Sequence, residues 1–132
     1  MSAPVAPGAV TYLEGIRQAM HEEMARDESV FLIGEDVATY GGAFGVTSGP
    51  ADTFGKERVL DTPISEIGFT GAAIGAAMMG MRPIIEFQFL DFISCAFDMI
   101  TNYAATTRYR TCLLYTSPSP RDQRGSRMPS SA

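Results

Sequence analysis

The chain has 132 residues, of which 45% are hydrophobic and 19% are charged, and its formal net charge is −5. This length supports one domain with a core, and the composition is typical of a soluble globular protein. An acidic chain without a basic patch is not expected to bind nucleic acid. Residues 67–81, one of the two longest stretches without a charge, are too short to span a membrane.

The first predicted element is a helix. Residues 1–10 carry no basic side chain, so we interpret them as a flexible lead-in to a cytoplasmic protein and not as a targeting segment. Residues 11–26 then place apolar side chains on one face of a helix, and Thr11 with Glu14 predicts a capping box. His21 falls near the polar side without a second metal-type residue at useful spacing, so no metal site is predicted.

A buried strand follows at residues 30–33, which are all apolar and are closed by Gly34. Glu35 and Asp36 come directly after it, at the strand end where open α/β sheets place ligands. A solvated acidic turn is the alternative. The next stretch is predicted to be a glycine-rich loop around Phe44, with a short helix at residues 51–54. Its glycines match neither common phosphate-binding pattern.

A second strand, residues 58–61, leads into the most informative stretch of the chain. Pro63 favours an extended conformation at the residue before it, and Ser65 is predicted to cap the following helix. Glu66 then lies in the first turn. A helix with almost no polar face is not a surface helix, so a carboxylate at its start is expected to be partly desolvated and to need a partner. The alternative is an ordinary first-turn glutamate that faces water.

The helix after Ser65 carries Gly71 and Gly75 four residues apart, which predicts close packing against another helix, in the domain or at a subunit interface. A third strand is predicted at residues 83–89. One long helix is predicted at residues 90–110, with Asp91 as its cap and Phe92 on its apolar side.

The alternation of these helices and strands predicts an α/β fold, a parallel sheet with flanking helices. Cys95 is expected to be a small buried apolar residue, and an intrachain disulfide is not expected.

Two long motifs resemble a known family: FLIGEDVATYGGAFGVTSG and DTPISEIGFTGAAIGAAMMGMRPIIEFQF. They are similar to the β subunit of the E1 component of 2-oxo acid dehydrogenase complexes, from about Thr11 to Arg110. The resemblance implies an incomplete pyrimidine-binding domain at residues 11–111 and a fragment that is inactive alone. The phrases EFQFLDF and RYR look closer to the branched-chain or acetoin type than to mammalian pyruvate dehydrogenase.

The resemblance also implies a site for thiamine diphosphate. It makes Glu66 the catalytic carboxylate that hydrogen-bonds the pyrimidine of the cofactor, and Phe92 the aromatic side chain that packs against that ring. Gln88 would line the pocket, and Glu35 would lie in an acidic, water-lined passage between paired cofactors. Mg²⁺ and the diphosphate would be held by an α subunit. The other implied partners are a second β subunit and, through a C-terminal domain beyond Arg110, the acyltransferase component.

Two other functions stay open. One is a different thiamine diphosphate enzyme, of the transketolase or deoxyxylulose-phosphate synthase type. The other is a non-catalytic α/β binding module, although Gly34 leads into two acidic residues and not into a phosphate-binding loop.

The composition changes abruptly at residues 112–132, which become rich in Ser, Pro and Arg. This stretch resembles a translated sequencing adaptor, so we predict a non-native disordered tail. It holds three arginines and one aspartate; without it, the net charge would be −7 instead of −5.

Overall fold

The structure is a computed structural model and describes residues 9–111. Three parallel strands and the helices that precede, connect and follow them make up most of these residues. The elements in chain order are α1 (Tyr12–Arg26), β1 (Val30–Gly34), α2 (Pro50–Phe54), β2 (Val59–Asp61), α3 (Glu66–Met78), β3 (Arg82–Glu86), a 3₁₀ helix (Leu90–Ala96), a π-helical segment (Met99–Ala104) and α4 (Thr107–Thr111).

The sheet has the order β2-β1-β3, and both strand pairs are parallel. The predicted α/β fold with a parallel sheet is therefore confirmed. The register aligns Gly34, the last residue of β1, with Asp61 on one side and with Glu86 on the other. The carboxyl ends of all three strands thus meet at one edge, with acidic residues beside and just beyond them.

Alternating side chains of β1 divide the core into two clusters, one on each face of the sheet. Val30 and Leu32 pack with Met20 and Met24 of α1, whereas Phe31 and Ile33 pack with Phe69 and Ala73 of α3. Every residue of β1 is buried. The central strand therefore has the continuous apolar sequence of a strand covered on both faces.

The helix starts confirm one predicted cap and correct two others. Thr11 and Glu14 form the capping box of α1, with the Glu14 backbone N–H donating to Thr11 Oγ1 over 3.2 Å. Ser65 occupies the N-cap position of α3, but its side chain makes no capping hydrogen bond. Asp91 lies inside the first turn of the 3₁₀ helix, whose N-cap is Phe89.

The predicted long helix at residues 90–110 is wrong in its regularity, since this stretch is a 3₁₀ helix, a π-helical segment and a short α-helix. Threonine side chains bond backward to main-chain carbonyls along it: Thr101 Oγ1 donates to Phe97 O over 2.8 Å, and Thr107 Oγ1 donates to Tyr103 O over 2.5 Å. Such bonds compete with the regular helical ladder and bend it.

The structure also tests the predictions made for Cys95 and for the two glycines of α3. Cys95 is exposed on the 3₁₀ helix, so the prediction of a buried cysteine is wrong. At Gly71 a Cβ atom would lie 3.3 Å from Met99 Sδ, which confirms close packing inside the domain at that glycine. At Gly75 a Cβ atom would meet nothing within 4 Å among the described residues.

Within residues 9–111 the structure has no helix of the length and apolar character that crossing a membrane requires.

Candidate active site

The carboxyl edge of the sheet brings Glu35 and Glu66 together. Glu35 follows β1 directly, and the alternation of β1 turns its side chain toward α3. Asp36 adopts a φ of 55°, a left-handed conformation that turns the chain away from the sheet directly after Glu35. Glu66 is half-buried in the first turn of α3, as predicted, next to the same edge.

Glu35 is a buried acid, with 7% of its surface exposed. Burial raises the pKa of Glu35, the negative charge of Glu66 raises it further, and the backbone N–H of Ser65 partly offsets both effects. Glu35 Oε1 is buried and has no hydrogen-bond partner among the described residues. The site therefore pairs a carboxyl that holds its proton to a higher pH than an ordinary glutamate with a second, more accessible carboxyl.

A third carboxyl, Glu86, lies at the end of β3 on the opposite face of the sheet, toward α1. Burial raises the pKa of Glu86, and the charge of Glu35 adds to the effect. A Cβ atom on Gly42 would lie 3.5 Å from Glu86 Oε1, so the glycine-rich loop passes directly over this carboxyl.

The loop after β1 is fixed by side chains from two elements, β2 and α1. The Asp61 carboxylate accepts hydrogen bonds from the Ala38 N–H over 2.6 Å and from the Thr39 N–H over 3.1 Å, and from the Thr39 hydroxyl as well. Partial burial of Asp61 opposes its ionisation, but these hydrogen bonds outweigh it and lower its pKa. Arg17 Nη2 also donates to Gly45 O over 2.5 Å.

Gln88 lies two residues beyond β3, because the strand ends at Glu86 and not at Phe89 as predicted. The half-buried Gln88 side chain lines an apolar cleft of about 440 Å³ between α1 and β3. It also lines a second, more polar cleft of about 610 Å³ that includes Asp36 and Gly42.

The spacing of apolar residues predicted that Phe92 is a core residue, but 36% of its surface is exposed. It lies on the 3₁₀ helix, which packs against α3. Its ring contacts the ring of Phe89, and the ring of Phe89 contacts that of Phe44. Phe92 therefore retains an open face beside the element that carries Glu66.

Sequence reasoning missed Glu86 and the role of Asp61. In the sequence, Glu86 is one polar residue inside an apolar predicted strand, and Asp61 is the last residue of another. Only the register, which aligns both with Gly34, shows that they flank the same edge. Across residues 9–111, no three His, Cys, Asp or Glu side chains are grouped to hold a metal ion.

Comparison with known proteins identifies the family of this domain. Residues 8–126 match the family described as "Transketolase, pyrimidine binding domain". The chain belongs to this family. The match continues past Thr111, where the native domain is predicted to end; residues 112–132 lie outside the described part of the chain, so that boundary stays a prediction.

Full-length relatives have names that agree with the resemblance seen in the sequence. A pyruvate dehydrogenase E1 component subunit beta from Rickettsia conorii is 55% identical over 100 residues, covering 76% of this chain and 31% of the relative. The mitochondrial subunit of the same name from Saccharomyces cerevisiae is 52% identical over 100 residues, which cover 76% of this chain and 27% of the relative. A 2-oxoisovalerate dehydrogenase subunit beta from Bacillus subtilis is 52% identical over 102 residues, which cover 77% of this chain and 31% of the relative.

These relatives confirm the similarity to E1 β subunits. They include pyruvate and 2-oxoisovalerate types at nearly equal identity, so identity does not separate the two substrates. The chain spans about a third of the length of the relatives it matches.

Proposed function

We propose that the chain is part of the β subunit of the E1 component of a 2-oxo acid dehydrogenase complex. In this proposal Glu66 binds the pyrimidine ring of thiamine diphosphate. The observation that carries the proposal is the position of Glu66, half-buried in the first turn of α3, beside the buried acid Glu35. The match to a pyrimidine-binding domain and the names of the relatives support it.

The residues at the sheet edge fit a pyrimidine. The ring offers polar nitrogens at its rim and flat apolar faces, and the site offers a carboxyl at Glu66 and an open aromatic face at Phe92. Gln88 lines clefts whose linings include neither of these residues. The unpartnered Oε1 atom of Glu35 supplies a further buried polar atom beside Glu66.

When bound, thiamine diphosphate supplies the electron sink for decarboxylation of the 2-oxo acid. The protein side chains would hold and orient the pyrimidine ring. Glu66 would share a proton with a ring nitrogen, a strong hydrogen bond where water is largely excluded. Glu35, whose pKa is raised by burial, would keep its proton to a higher pH than an ordinary glutamate does. Phe92 would support one face of the pyrimidine.

The partners follow from the same proposal. An α subunit would hold the diphosphate and Mg²⁺ and complete the cofactor site. A second β subunit would complete the assembly, and the acyltransferase component would bind outside the domain described here. The acid would be a 2-oxo acid of the pyruvate or branched-chain class, as the names of the relatives suggest.

The test replaces Glu66 by Gln in the full-length β subunit, assembled with its α subunit. Glutamine has nearly the same shape but cannot share a proton in the same way, so we expect kcat to fall about 10²- to 10⁴-fold. The reduction of an artificial electron acceptor would be measured with pyruvate and with a branched-chain 2-oxo acid. Glu57→Gln, an exposed glutamate remote from this edge, is the matched control. Wild-type activity in Glu66→Gln would contradict the proposal.

A further inference from the structure

Three phenylalanine rings form a continuous series beside the candidate site. The ring centroids of Phe44 and Phe89 lie 5.5 Å apart at an interplanar angle of 75°. Those of Phe89 and Phe92 also lie 5.5 Å apart, at 72°. Both are edge-to-face contacts at favourable separation. Because none of the three rings belongs to either core cluster, core packing does not explain them.

Phe44, the first ring of this series, lies on a loop that hydrogen bonds hold in place. Phe44 is 62% exposed, but the loop on either side of it is held. Arg17 donates to Gly45 O directly after Phe44, and the buried Thr47 hydroxyl donates to Val37 O over 2.9 Å. Asp61 holds the start of the loop.

Phe92, the last ring of this series, lies on a segment with weaker stabilising hydrogen bonds. Phe92 lies in the first turn of a 3₁₀ helix that has no side-chain cap, and hydrogen-bond geometry is poorer in a 3₁₀ helix than in an α-helix. A side chain that is more than a third exposed on such a segment gains orientation from any neighbour that contacts it. Phe89 provides that contact, and Phe44 contacts Phe89.

Building on the proposed function, in which Phe92 packs against a pyrimidine, we propose that Phe44 is a positioning residue that acts through Phe89 to hold the ring of Phe92 in place. Phe44 itself does not touch the cofactor in this proposal. It links the glycine-rich loop, and through Asp61 also β2, to the aromatic face of the site.

The test measures the affinity of thiamine diphosphate with Mg²⁺ by isothermal titration calorimetry, in the full-length β subunit assembled with its α subunit. We expect Phe44→Ala to raise Kd roughly threefold to tenfold, the loss of one aromatic contact. Phe44→Tyr keeps the ring and is expected to restore wild-type affinity. Phe44→Leu keeps apolar bulk without a ring and is expected to bind as weakly as Phe44→Ala. The thermal unfolding midpoint without cofactor should fall only slightly, because most of the Phe44 side chain is exposed.

A double variant separates positioning from a general effect of the loop. In a Phe92→Ala background, Phe44→Ala should weaken binding less than twofold further, because the ring that it positions is gone. An equal loss in both backgrounds, or wild-type affinity in Phe44→Ala, would overturn the inference.

The two proposals fail in different ways. A wild-type assembly that binds no thiamine diphosphate would overturn the proposed function, and this inference with it. If the wild type binds and Phe92→Ala binds weakly, while Phe44→Ala binds normally, only the inference fails.

Discussion

At the scale of single residues, Gly34 determines how closely β1 approaches β3. A Cβ atom there would lie 2.8 Å from the Glu86 carbonyl oxygen and 3.2 Å from Glu86 Cβ. The first of these is a backbone atom in the neighbouring strand, so it cannot move aside cheaply. The absence of a side chain at position 34 is therefore what allows Glu86 to occupy the strand end beside it.

Gly34→Ala should destabilise the protein by roughly 1–3 kcal/mol through this overpacking. Gly15→Ala is the matched control, because a Cβ atom there meets no atom within 4 Å in the part of the chain that the structure describes. Alanine in the interior of α1 should stabilise the protein by roughly 0.5–1 kcal/mol. Thermal unfolding of the full-length protein would compare the two. A Gly34→Ala midpoint at or above that of the wild type would show that the strand pair is not tightly packed.

The buried acid Glu35 predicts a pH dependence of stability. Because folding raises the pKa of Glu35, the folded state keeps this proton to a higher pH than the unfolded chain does. Its contribution to stability is neutral below the ordinary glutamate pKa and becomes unfavourable as the pH rises through the folded pKa. Glu35→Gln does not titrate, so its stability relative to the wild type should increase over that interval.

Unfolding midpoints of the wild type and Glu35→Gln, measured in parallel from acidic to neutral pH, would check this. Glu57→Gln, at an exposed position, is the matched control. A constant difference between Glu35→Gln and the wild type would contradict the raised pKa.

Sequence alone located Glu35 and Glu66 because each follows a clear pattern, a strand end and a helix start. It did not find Glu86, because its neighbourhood is created by register and not by sequence distance. The exposure of Cys95 and Phe92 was also missed, since apolar spacing describes a regular helix and this segment is not one.

At the scale of elements, Arg58 ties together α1, β1 and the segment before β2. Its Nη2 atom donates to the carbonyl oxygens of Met24, Asp27 and Val30 over 2.7, 2.9 and 2.6 Å. Its guanidinium also lies over the Phe54 ring of α2, 5.1 Å from the centroid. One side chain thus bonds Met24 O, one of the carbonyls near the end of α1, together with Asp27 O after the helix and Val30 O of β1.

Arg58→Ala should destabilise the protein by roughly 2–4 kcal/mol, because several charge-assisted hydrogen bonds are lost together. Arg58→Lys should recover only part of this, since an ammonium lacks the planar fork. Lys56→Ala, an exposed cation two residues away, should change stability by no more than about 0.5 kcal/mol. Thermal unfolding of the three variants is the measurement, and equal midpoints for Arg58→Lys and the wild type would refute the role of the fork.

At the scale of the whole molecule, the order of elements and the parallel sheet followed from the sequence because the apolar runs are short, continuous and separated by helix-forming stretches. The strand ends were less well predicted, by one to three residues, because hydrogen bonding to a neighbouring strand decides where a strand stops. The order β2-β1-β3 depends on crossovers between distant residues, and local pattern does not encode it.

The two-sided burial of β1 has a consequence for how this sequence can vary. Each substitution in the strand affects one face, but one inserted or deleted residue ahead of Glu35 would exchange the faces of everything after it. Such a change would turn Glu35 toward α1 and the side chains that pack on α1 toward α3. The number of residues between Asp27 and Glu35 is thus constrained more tightly than the identity of each residue, because that number decides which face of the sheet Glu35 points toward.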